Sequence, residues 1–335
     1  MADGGEGTMQ TLVHAMDGSV QRTQVSGPVG RVVHAEYGIA GPAKDRVAIV
    51  ESAAGSGLAL IPEGRRDPLR TSSVGTGELI RAALSHEPRR LIVCLGGTGT
   101  NDGGVGMAAA LGARFLDAAG KPVPPGGGGL ARLARIDVTS MDPRLGRTAS
   151  IAATDVDNPL TGPWGASFVF GPQKGASTED VVRLDRSLAH LAAVVHRDLG
   201  IDLRDAPGAG AGGGLGFGVM AFLGGRVRSG FQVVSEAVNL ERRVAGAQLV
   251  ITGEGRFDGQ SGRGKAPAGV IALAGSAAVP VILVCGEIVG PVAGVLEAVS
   301  LAERFGPEAA MRDTQRSLET AAAEVAGRFR LQELS

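Results

Sequence analysis

Short runs of apolar residues alternate with glycine-rich polar turns along most of this chain. Four runs in the first 70 residues have the composition of β-strands, and they read QTLVHAM, VQRTQVSGP, RVVHAEYGI and DRVAIVESA. Turn signals such as Asp17-Gly18 and Gly41-Pro42 separate them. We therefore expect this region to form an antiparallel or mixed sheet.

From Thr71 the pattern changes to helices that alternate with buried strands. TSSVGTGELIRAALSHEP has the start and the apolar spacing of a helix, and RRLIVCLGG has the continuous apolar run of a buried parallel strand. Further strands are predicted in SIAATDVD, AQLVITGEG and VPVILVCG, and a helix is predicted over 177–199. Three of these strands run into glycine-rich loops, so the carboxyl edge of a parallel sheet is the predicted binding surface.

Composition places the chain among folded proteins with tightly turned cores. The 335 residues suffice for two domains, and 44% of them are hydrophobic although only 3% are aromatic. The 54 glycines greatly exceed the roughly 23 that average usage would give. Together with the alternation of strands and helices, this suggests an α/β protein of two domains.

Charge argues against several classes of partner. The formal net charge is −1 without a concentrated basic segment, so neither nucleic acid nor an anionic membrane is expected to bind. There is no apolar run of about 18 or more residues and no secretory signal. Cys94 and Cys285 lie in apolar runs that are typical of buried thiols in a reducing compartment, so a cytoplasmic protein is expected.

The first candidate site is the loop GGTGTNDGG, residues 96–104, between a strand and a helix. Glycine lets backbone N–H groups approach a ligand, and the start of the helix favours negative charge. An anion site and a simple tight turn are both compatible with this pattern. The loop matches neither the P-loop nor a clear dinucleotide-binding fingerprint.

The second candidate is TGEGRFDGQSGRGKAP, residues 252–267, which has five charged residues directly after a buried run. Basic side chains can neutralise phosphoryl oxygens, and carboxylates can hold Mg²⁺ directly or through water. A solvated surface loop is the alternative interpretation. The charged residues are Glu254, Arg256, Asp258, Arg263 and Lys265.

The third candidate is ATDVDNPLTG, where Asp155 and Asp157 would point to the same face of an extended strand. Paired carboxylates can hold a metal or act as a base, although an Asx-Pro turn explains the spacing equally well. Lys174 in FGPQKGA is a weaker candidate, and all five histidines lie outside these loops. A site that contains carboxylates, amides and guanidinium groups but no histidine suits phosphoryl transfer by a small-molecule kinase.

These motifs, in this order, resemble the bacterial glycerate kinase family. The similarity is carried by GGTGTNDGGVGMAAALGARF, ATDVDNPLTGPWGAS, FGPQKGA, PGAGAGGGLGFG and VITGEGRFDGQSGRGKAP, supported by ADGGEGT, ESAAGSGL and DPLRTSSVGTGELIRAAL. It implies ATP- and Mg²⁺-dependent phosphorylation of D-glycerate, with 2-phosphoglycerate favoured over 3-phosphoglycerate. It also implies a fold of two α/β domains, one Rossmann-like with a parallel sheet and one mixed α/β, with the active site in the cleft between them.

The resemblance gives roles to individual residues as hypotheses. Asp155 and Asp157 would bind metal, Asp157 would also be catalytic, and further catalytic residues would be Arg256, Lys265 and Asp102. Residues that would bind the ATP cofactor or an anionic group of glycerate are Gly96, Gly97, Thr98, Asn101, Lys174, Glu254 and Asp258.

The start of the chain departs from the family. Family members normally begin with a strand, a loop containing Ser and Lys, and a helix, whereas here ADGGEGT starts at residue 2. We therefore expect the first strand of the Rossmann-like sheet to be absent, because the start is misassigned or shortened, or because this is a degenerate member. The predicted Rossmann-like domain comprises residues 69–115 and 229–335, and the mixed domain comprises 1–68 and 116–228.

Alternative functions follow from the same observations. A kinase for another small hydroxy acid would have the same motifs, and a catalytically impaired metabolite- or nucleotide-binding protein would fit the short start. A dehydrogenase is disfavoured by the poor dinucleotide fingerprint. The expected partner is a small-molecule substrate, and a homodimer is compatible with the sequence.

Overall fold

The computed structural model describes residues 5–258 and 266–333, with side chains described to residue 329. The chain divides into a larger unit, Ala2–Val238, and a smaller unit, Asn239–Ser335. No helix within the described residues is both long and apolar enough to cross a membrane.

The larger unit combines helices and strands in an order that begins with a helix. Its elements are α1 (Thr8–Ala15), β1 (Ser19–Ser26), β2 (Val32–Ala40), β3 (Val47–Glu51), α2 (Ser52–Ser56), α3 (Val74–Leu84), β4 (Arg90–Cys94), α4 (Val105–Ala110), β5 (Arg114–Leu116), β6 (Arg135–Asp137), β7 (Ala149–Ala153), α5 (Ala166–Phe170), α6 (Thr178–Leu199), α7 (Ala211–Leu223), β8 (Arg226–Arg228) and α8 (Gly230–Ala237). Short 3₁₀ turns span Ala43–Asp45, Leu58–Leu60, Glu63–Arg65, Gly127–Arg132, Pro143–Arg147 and Pro172–Lys174.

The main sheet of the larger unit has the strand order β1-β2-β3-β4-β7-β8. The pairs β1–β2 and β2–β3 are antiparallel, whereas β3, β4, β7 and β8 are mutually parallel. The carboxyl ends of the four parallel strands therefore meet at one edge, where the first and third candidate loops begin. The mixed sheet expected from the sequence is confirmed.

The central strands are buried on both faces, as continuous apolar runs predict. In β4, Leu91 and Val93 face a core formed with α3, α4, α6 and α7. Ile92 and Cys94 alternate with them and face a second core, which contains Met9, Leu12 and Val13 of α1 and Val233 and Val234 of α8. This alternation fixes the register of the strand, since a slip of one residue would exchange the two faces.

The strand predicted in QTLVHAM is wrong, because this segment lies in helix α1. Met9, Leu12, Val13 and Met16 follow helical spacing and pack on the second core. The helix begins beside Glu51, whose Oε1 accepts a hydrogen bond of 2.8 Å from the backbone N–H of Met9. A carboxylate at this position satisfies a donor that a helix start otherwise leaves free.

The smaller unit is a compact α/β arrangement of its own. Its elements are α9 (Leu240–Ala245), β9 (Val250–Thr252), β10 (Arg256–Phe257), α10 (Ala266–Ser276), β11 (Val281–Cys285), β12 (Glu287–Ile288), β13 (Glu297–Ser300), α11 (Leu301–Phe305), α12 (Pro307–Arg312) and α13 (Thr314–Glu333). The parallel strands have the order β13-β11-β9. Ile282 and Val284 of β11 pack with α13, and Val281 packs with α9 and α10 on the other face.

The division of the chain differs from the predicted one in the place of residues 69–115 and 229–238. The sequence grouped both stretches with residues 239–335, but in the structure they belong to the larger unit. Residues 69–115 do so because β4 lies between β3 and β7 in the main sheet, and residues 229–238 do so because α8 packs on the second core. Strand periodicity alone predicts that β4 is buried and parallel, and it contains no information about which strands are its neighbours.

Candidate active site

The glycine-rich loop after β4 is held against α2 and the segment before α3. The N–H of Leu58 donates to the carbonyl of Gly97 at 2.8 Å, and the hydroxyl of Thr71 donates to the carbonyl of Gly99 at 2.8 Å. Gly97 has a φ of 72°, and a Cβ there would lie 2.8 Å from a carboxylate oxygen of Glu6. Glycine is required at this position both by the left-handed backbone and by the close approach.

The same loop presents backbone donors that no described residue satisfies. The N–H groups of Gly96, Gly97 and Thr98 have no acceptor among residues 5–258 and 266–333. Gly97 is exposed, whereas Thr98 is buried. Consecutive unpaired N–H groups form a concavity that suits an anion, which is the role that the sequence predicts for Gly96, Gly97 and Thr98.

Asp102 fastens the other end of the loop to the starts of two helices. Its Oδ2 accepts hydrogen bonds from the N–H of Ser73 at 2.8 Å, the hydroxyl of Ser73 at 2.9 Å and the N–H of Gly106 at 3.2 Å. Oδ1 accepts from the N–H of Gly104 at 3.2 Å. Ser73 precedes α3 and Gly104 precedes α4, so one carboxylate caps both helices.

Burial raises the pKa of Asp102, although the donors around it act in the opposite direction. The side chain is 1% exposed, and its oxygens are engaged by the protein. These surroundings favour a structural role. The catalytic role expected from the sequence stays a prediction.

Lys174 lies beneath the loop as a fully enclosed amine. It is 2% exposed, and its Nζ donates to the carbonyl of Thr100 at 2.7 Å. Burial lowers its pKa to about 7, against the smaller opposing effect of Asp102. The ammonium and the neutral amine are therefore both populated near neutral pH.

Two further polar atoms beside Lys174 are sealed from solvent. Thr100 Oγ1 and Asn101 Oδ1 have no hydrogen-bond partner among the described residues. The amide nitrogen of Asn101 is engaged, since Nδ2 donates to Ser167 Oγ at 2.9 Å. Asn101 is thus fixed at one end and unpartnered at the other, as expected of a side chain held for a further polar group.

Asp155 and Asp157 leave the sheet beside the glycine-rich loop, because β7 pairs with β4 and places Ala153 opposite Cys94. Their environments differ. Asp155 Oδ1 accepts hydrogen bonds from Ser229 Oγ at 2.7 Å and from the N–H of Phe231 at 3.4 Å, which anchors the start of α8. The carboxylate of Asp157 is exposed and has no partner among the described residues.

The smaller unit contains the second candidate loop, at the carboxyl end of β9. Arg256 pairs with Glu287 at 3.2 Å and lies 3.9 Å from Asp258. Glu254 Oε1 is sealed from solvent and has no hydrogen-bond partner in the described part of the chain. Lys265 lies outside the described residues.

Sequence reasoning missed three residues of these networks. Glu51 is 8% exposed, and burial raises its pKa. Its position at the end of β3 was the available signal, since buried parallel strands end at the binding edge. Ser73 was visible as a helix cap, but its partner Asp102 is distant in sequence, and Glu287 pairs with Arg256 through strand contacts that no local pattern shows.

Metal ligation can be tested against the donor set. No group of three or more His, Cys, Asp or Glu side chains within the described ranges is placed to hold a metal ion. The described side chains of Asp155 and Asp157 are oxygen donors, and Mg²⁺ commonly binds through one or two carboxylates together with waters and substrate phosphates. The residues present therefore fit that mode of binding.

Comparison with known proteins gives a consistent result over nearly the whole chain. The model of the glycerate kinase family matches residues 1–330. A Bacillus subtilis protein named glycerate kinase is 50% identical over 288 residues, which cover 86% of this chain and 75% of the relative. An Escherichia coli K12 protein named glycerate 2-kinase is 48% identical with the same coverage.

A solved structure agrees with the sequence relatives. The crystal structure of a Salmonella typhimurium LT2 protein, provisionally named glycerate kinase 2, has a TM-score of 0.83 and 44% identity. The match covers 98% of this chain and 88% of that one. The sequence motifs, the arrangement of the parallel strands and these matches lead to one conclusion: the chain belongs to the glycerate kinase family.

Proposed function

We propose that this protein transfers the γ-phosphoryl group of ATP to a hydroxyl of D-glycerate. The observation that carries the proposal is the pairing of β4 with β7. These adjacent strands lead directly to the N–H groups of Gly96, Gly97 and Thr98 and to the carboxylate of Asp157, none of which has a partner among the described residues. Phosphoryl transfer requires positioned donors for phosphate oxygens and a carboxylate near the attacking hydroxyl.

We propose different roles for Asp155 and Asp157. Asp155 is held by Ser229 and sets the path of the loop. Asp157 is free to accept the proton of the substrate hydroxyl or to ligate Mg²⁺, which would supply charge neutralisation at the phosphates. Asn101 would place its Oδ1 atom near the bound phosphates, since its amide nitrogen is held by a hydrogen bond to Ser167.

We assign Lys174, a buried cation of the larger unit, to balancing the negative charge of an anion bound at the loop. Its ammonium holds the carbonyl of Thr100 and so shapes the loop that carries Gly96, Gly97 and Thr98. A cation under the loop also favours an anion above it. Lys174 would therefore contribute to cofactor binding indirectly, by shaping the loop, and would not contact the cofactor itself.

We assign the charged loop of the smaller unit to binding of the cofactor. Arg256 would bind a phosphate or the glycerate carboxylate, with Glu287 holding its guanidinium in place. Glu254 and Asp258 would bind the cofactor, and Lys265 would neutralise developing charge, as the family motif implies. We also propose that the product is 2-phosphoglycerate, because the Escherichia coli relative is named glycerate 2-kinase.

The experiment is ADP release from ATP and Mg²⁺ in the presence of single candidate acceptors. D-glycerate, L-glycerate, D-lactate and glycolate form a suitable panel because they differ in configuration and in the second hydroxyl. The proposal expects turnover with D-glycerate to exceed that with the others by at least about tenfold, which is about 1.4 kcal/mol of discrimination. Preference for another acid would assign a different substrate to the same chemistry. We further propose that the protein acts in the cytoplasm, where ATP is available, and a homodimer stays a prediction.

A further inference from the structure

A cavity of the larger unit lies between the turn that joins β1 to β2 and the segment that joins α2 to α3. Its volume is about 670 Å³. We call it the Arg66 cavity, and its lining includes Arg65, Arg66, Asp67, Arg70, Thr71 and Ser72. All of them belong to the segment between α2 and α3.

Arg66 in this cavity lacks a counter-ion. Its Nε is sealed from solvent without a hydrogen-bond partner, and no carboxylate of the described residues forms an ion pair with it. The neighbouring Asp67 is engaged elsewhere, since it accepts from the N–H of Leu69 at 3.0 Å and lies 3.5 Å from Arg70. A buried donor without a partner costs free energy, so Arg66 is not explained by a contribution to the stability of the fold. A role in binding a ligand would explain it.

The position of Arg66 is fixed by the candidate active site. Gly175, which has a φ of 93°, packs directly on it, and a Cβ at Gly175 would lie 2.8 Å from the Cβ of Arg66. The preceding residue, Lys174, holds the carbonyl of Thr100. A shift of Arg66 would therefore be transmitted to the glycine-rich loop through two consecutive residues.

The wall of the cavity is also tied to that loop. Thr71 donates to the carbonyl of Gly99 at 2.8 Å, and Ser72 donates to Asp102 Oδ2 at 3.4 Å. The cavity and the predicted anion loop thus share one hydrogen-bonded segment. A ligand bound in the cavity lies next to the group of residues that the proposed function uses.

The charge of the cavity favours an anion. Three arginines, Arg65, Arg66 and Arg70, line it together with a single described carboxylate, that of Asp67. Arginine binds carboxylate and phosphate oxygens through paired N–H groups.

We propose that the Arg66 cavity binds the anionic oxygens of one of the two substrates, the carboxylate of the hydroxy acid or a phosphate of the nucleotide, with Arg66 as the contacting residue. This inference rests on the proposed function for the identity of those substrates. It assigns Arg66 a binding role, and the position of the cavity beside the loop explains how binding is coupled to the site.

The test compares thermal unfolding of the wild type with that of Arg66→Gln and of a matched control, Arg89→Ala. Arg89 is exposed at the amino end of β4, away from the carboxyl edge, and its side chain has no described partner. Each protein is titrated separately with D-glycerate, with ATP and Mg²⁺, and with inorganic phosphate. We expect the control to keep every ligand-induced rise in Tm. We expect Arg66→Gln to need at least about tenfold more of one substrate for the same rise.

The outcomes separate the two sources of the anion. A selective loss of the D-glycerate effect assigns the carboxylate, and a selective loss of the ATP effect assigns a phosphate. Retention of both effects in Arg66→Gln overturns the inference. Should this variant fold poorly, Arg66→Lys keeps the charge without the paired donors and is expected to show the same selective loss to a smaller extent.

Failure of the proposed function gives a different result. A wild type that neither D-glycerate nor ATP stabilises would contradict the kinase proposal. Inorganic phosphate would then decide the anion site by itself: a phosphate effect that Arg66→Gln loses keeps the site, and a phosphate effect that is absent or unchanged in the variant overturns it.

Discussion

Asp102 Oδ2 accepts hydrogen bonds from both the backbone N–H and the hydroxyl of Ser73, at 2.8 and 2.9 Å. The Ser73 hydroxyl in turn accepts from the N–H of Met107 at 2.9 Å. This pair joins the first turn of α3 to that of α4. The end of the glycine-rich loop is thereby set by two helices that pack on the same core.

Replacement of Ser73 should destabilise the fold while leaving the chemistry in place. Ser73→Ala removes a donor to a buried carboxylate and an acceptor for Met107, so we expect a loss of about 2–3 kcal/mol in the free energy of unfolding. Urea denaturation measures it. The matched control is Ser85→Ala, because the Ser85 hydroxyl donates to the carbonyl of Ala82 at an exposed helix end, and its loss should stay within about 0.5 kcal/mol. Equal losses in the two variants would contradict the double-cap account.

The buried amine of Lys174 predicts a pH dependence of stability. Its pKa is lowered from 10.5 to about 7 on folding, so between these values the unfolded chain binds the additional proton. The free energy of unfolding therefore gains a contribution that rises with pH across this window, by up to about 1.4 kcal/mol per pH unit. Below pH 7 both states are protonated, and the full cost of burying the charge is present.

The comparison that isolates this contribution is the wild type against Lys174→Met over pH 6 to 10. The advantage of the variant should be greatest at the lowest pH and should shrink as the pH rises above about 7. Other titrating groups cancel in the difference. A difference between the two proteins that is constant with pH would show that Lys174 titrates alike in both states.

The three glycines at the start of α7 allow that helix to approach the loop closely. Gly213 has a φ of 71°, and a Cβ there would overlap the carbonyl oxygen of Thr100 and lie 2.9 Å from Lys174 Nζ. Gly200 has a φ of 73° with open space around it. Gly200→Ala and Gly213→Ala thus share the backbone strain, which costs about 1–2 kcal/mol, and differ in the overlap.

We expect Gly213→Ala to lose about 1–3 kcal/mol more than Gly200→Ala, because the overlap adds a packing penalty. Thermal and urea unfolding give the two values. Activity should fall in the first variant and not in the second, since only the first displaces Thr100. Equal stability losses would mean that the loop moves aside at no cost.

The two aspartates after β7 should respond differently to loss of charge. Asp157 is exposed without a described partner, so Asp157→Asn should lower kcat/KM by about 10²–10³ and leave Tm nearly unchanged. Asp155→Asn disturbs the bond to Ser229 and should lower Tm as well as activity. Initial rates and thermal unfolding of both variants test this division. An Asp157→Asn variant with near-normal kcat/KM would remove that residue from the mechanism.

The sequence predicted the strands of the core well because their signal is local. Continuous apolar runs such as the one around Leu91 and Val93 identify buried parallel strands from residue types alone. The same local rule failed at Gln10 to Met16, where seven residues are too few to distinguish alternation from helical spacing and the packing against Ile49 decides. Glycine-rich stretches directly after these runs likewise predicted the loops at the carboxyl edge of the sheet.

What the sequence could not supply was the partner of each polar residue. The motif predicts a catalytic role for Asp102, and only the contact with Ser73, 29 residues away, shows that this carboxylate also caps two helices. Asp155 and Asp157 looked equivalent by spacing, and the contact with Ser229, 74 residues further on, distinguishes them. Such pairings depend on strand order, which periodicity does not encode.

The central claim is that this chain moves a phosphoryl group from ATP to D-glycerate, and ³¹P NMR of the reaction mixture tests it most directly. A mixture of the 335-residue chain, ATP, Mg²⁺ and D-glycerate is followed beside one without D-glycerate. The account predicts the signals of ADP and of one phosphate monoester, split by the single proton on C2 as 2-phosphoglycerate requires. Unchanged ATP, or ADP with inorganic phosphate alone, in the presence of D-glycerate would contradict it.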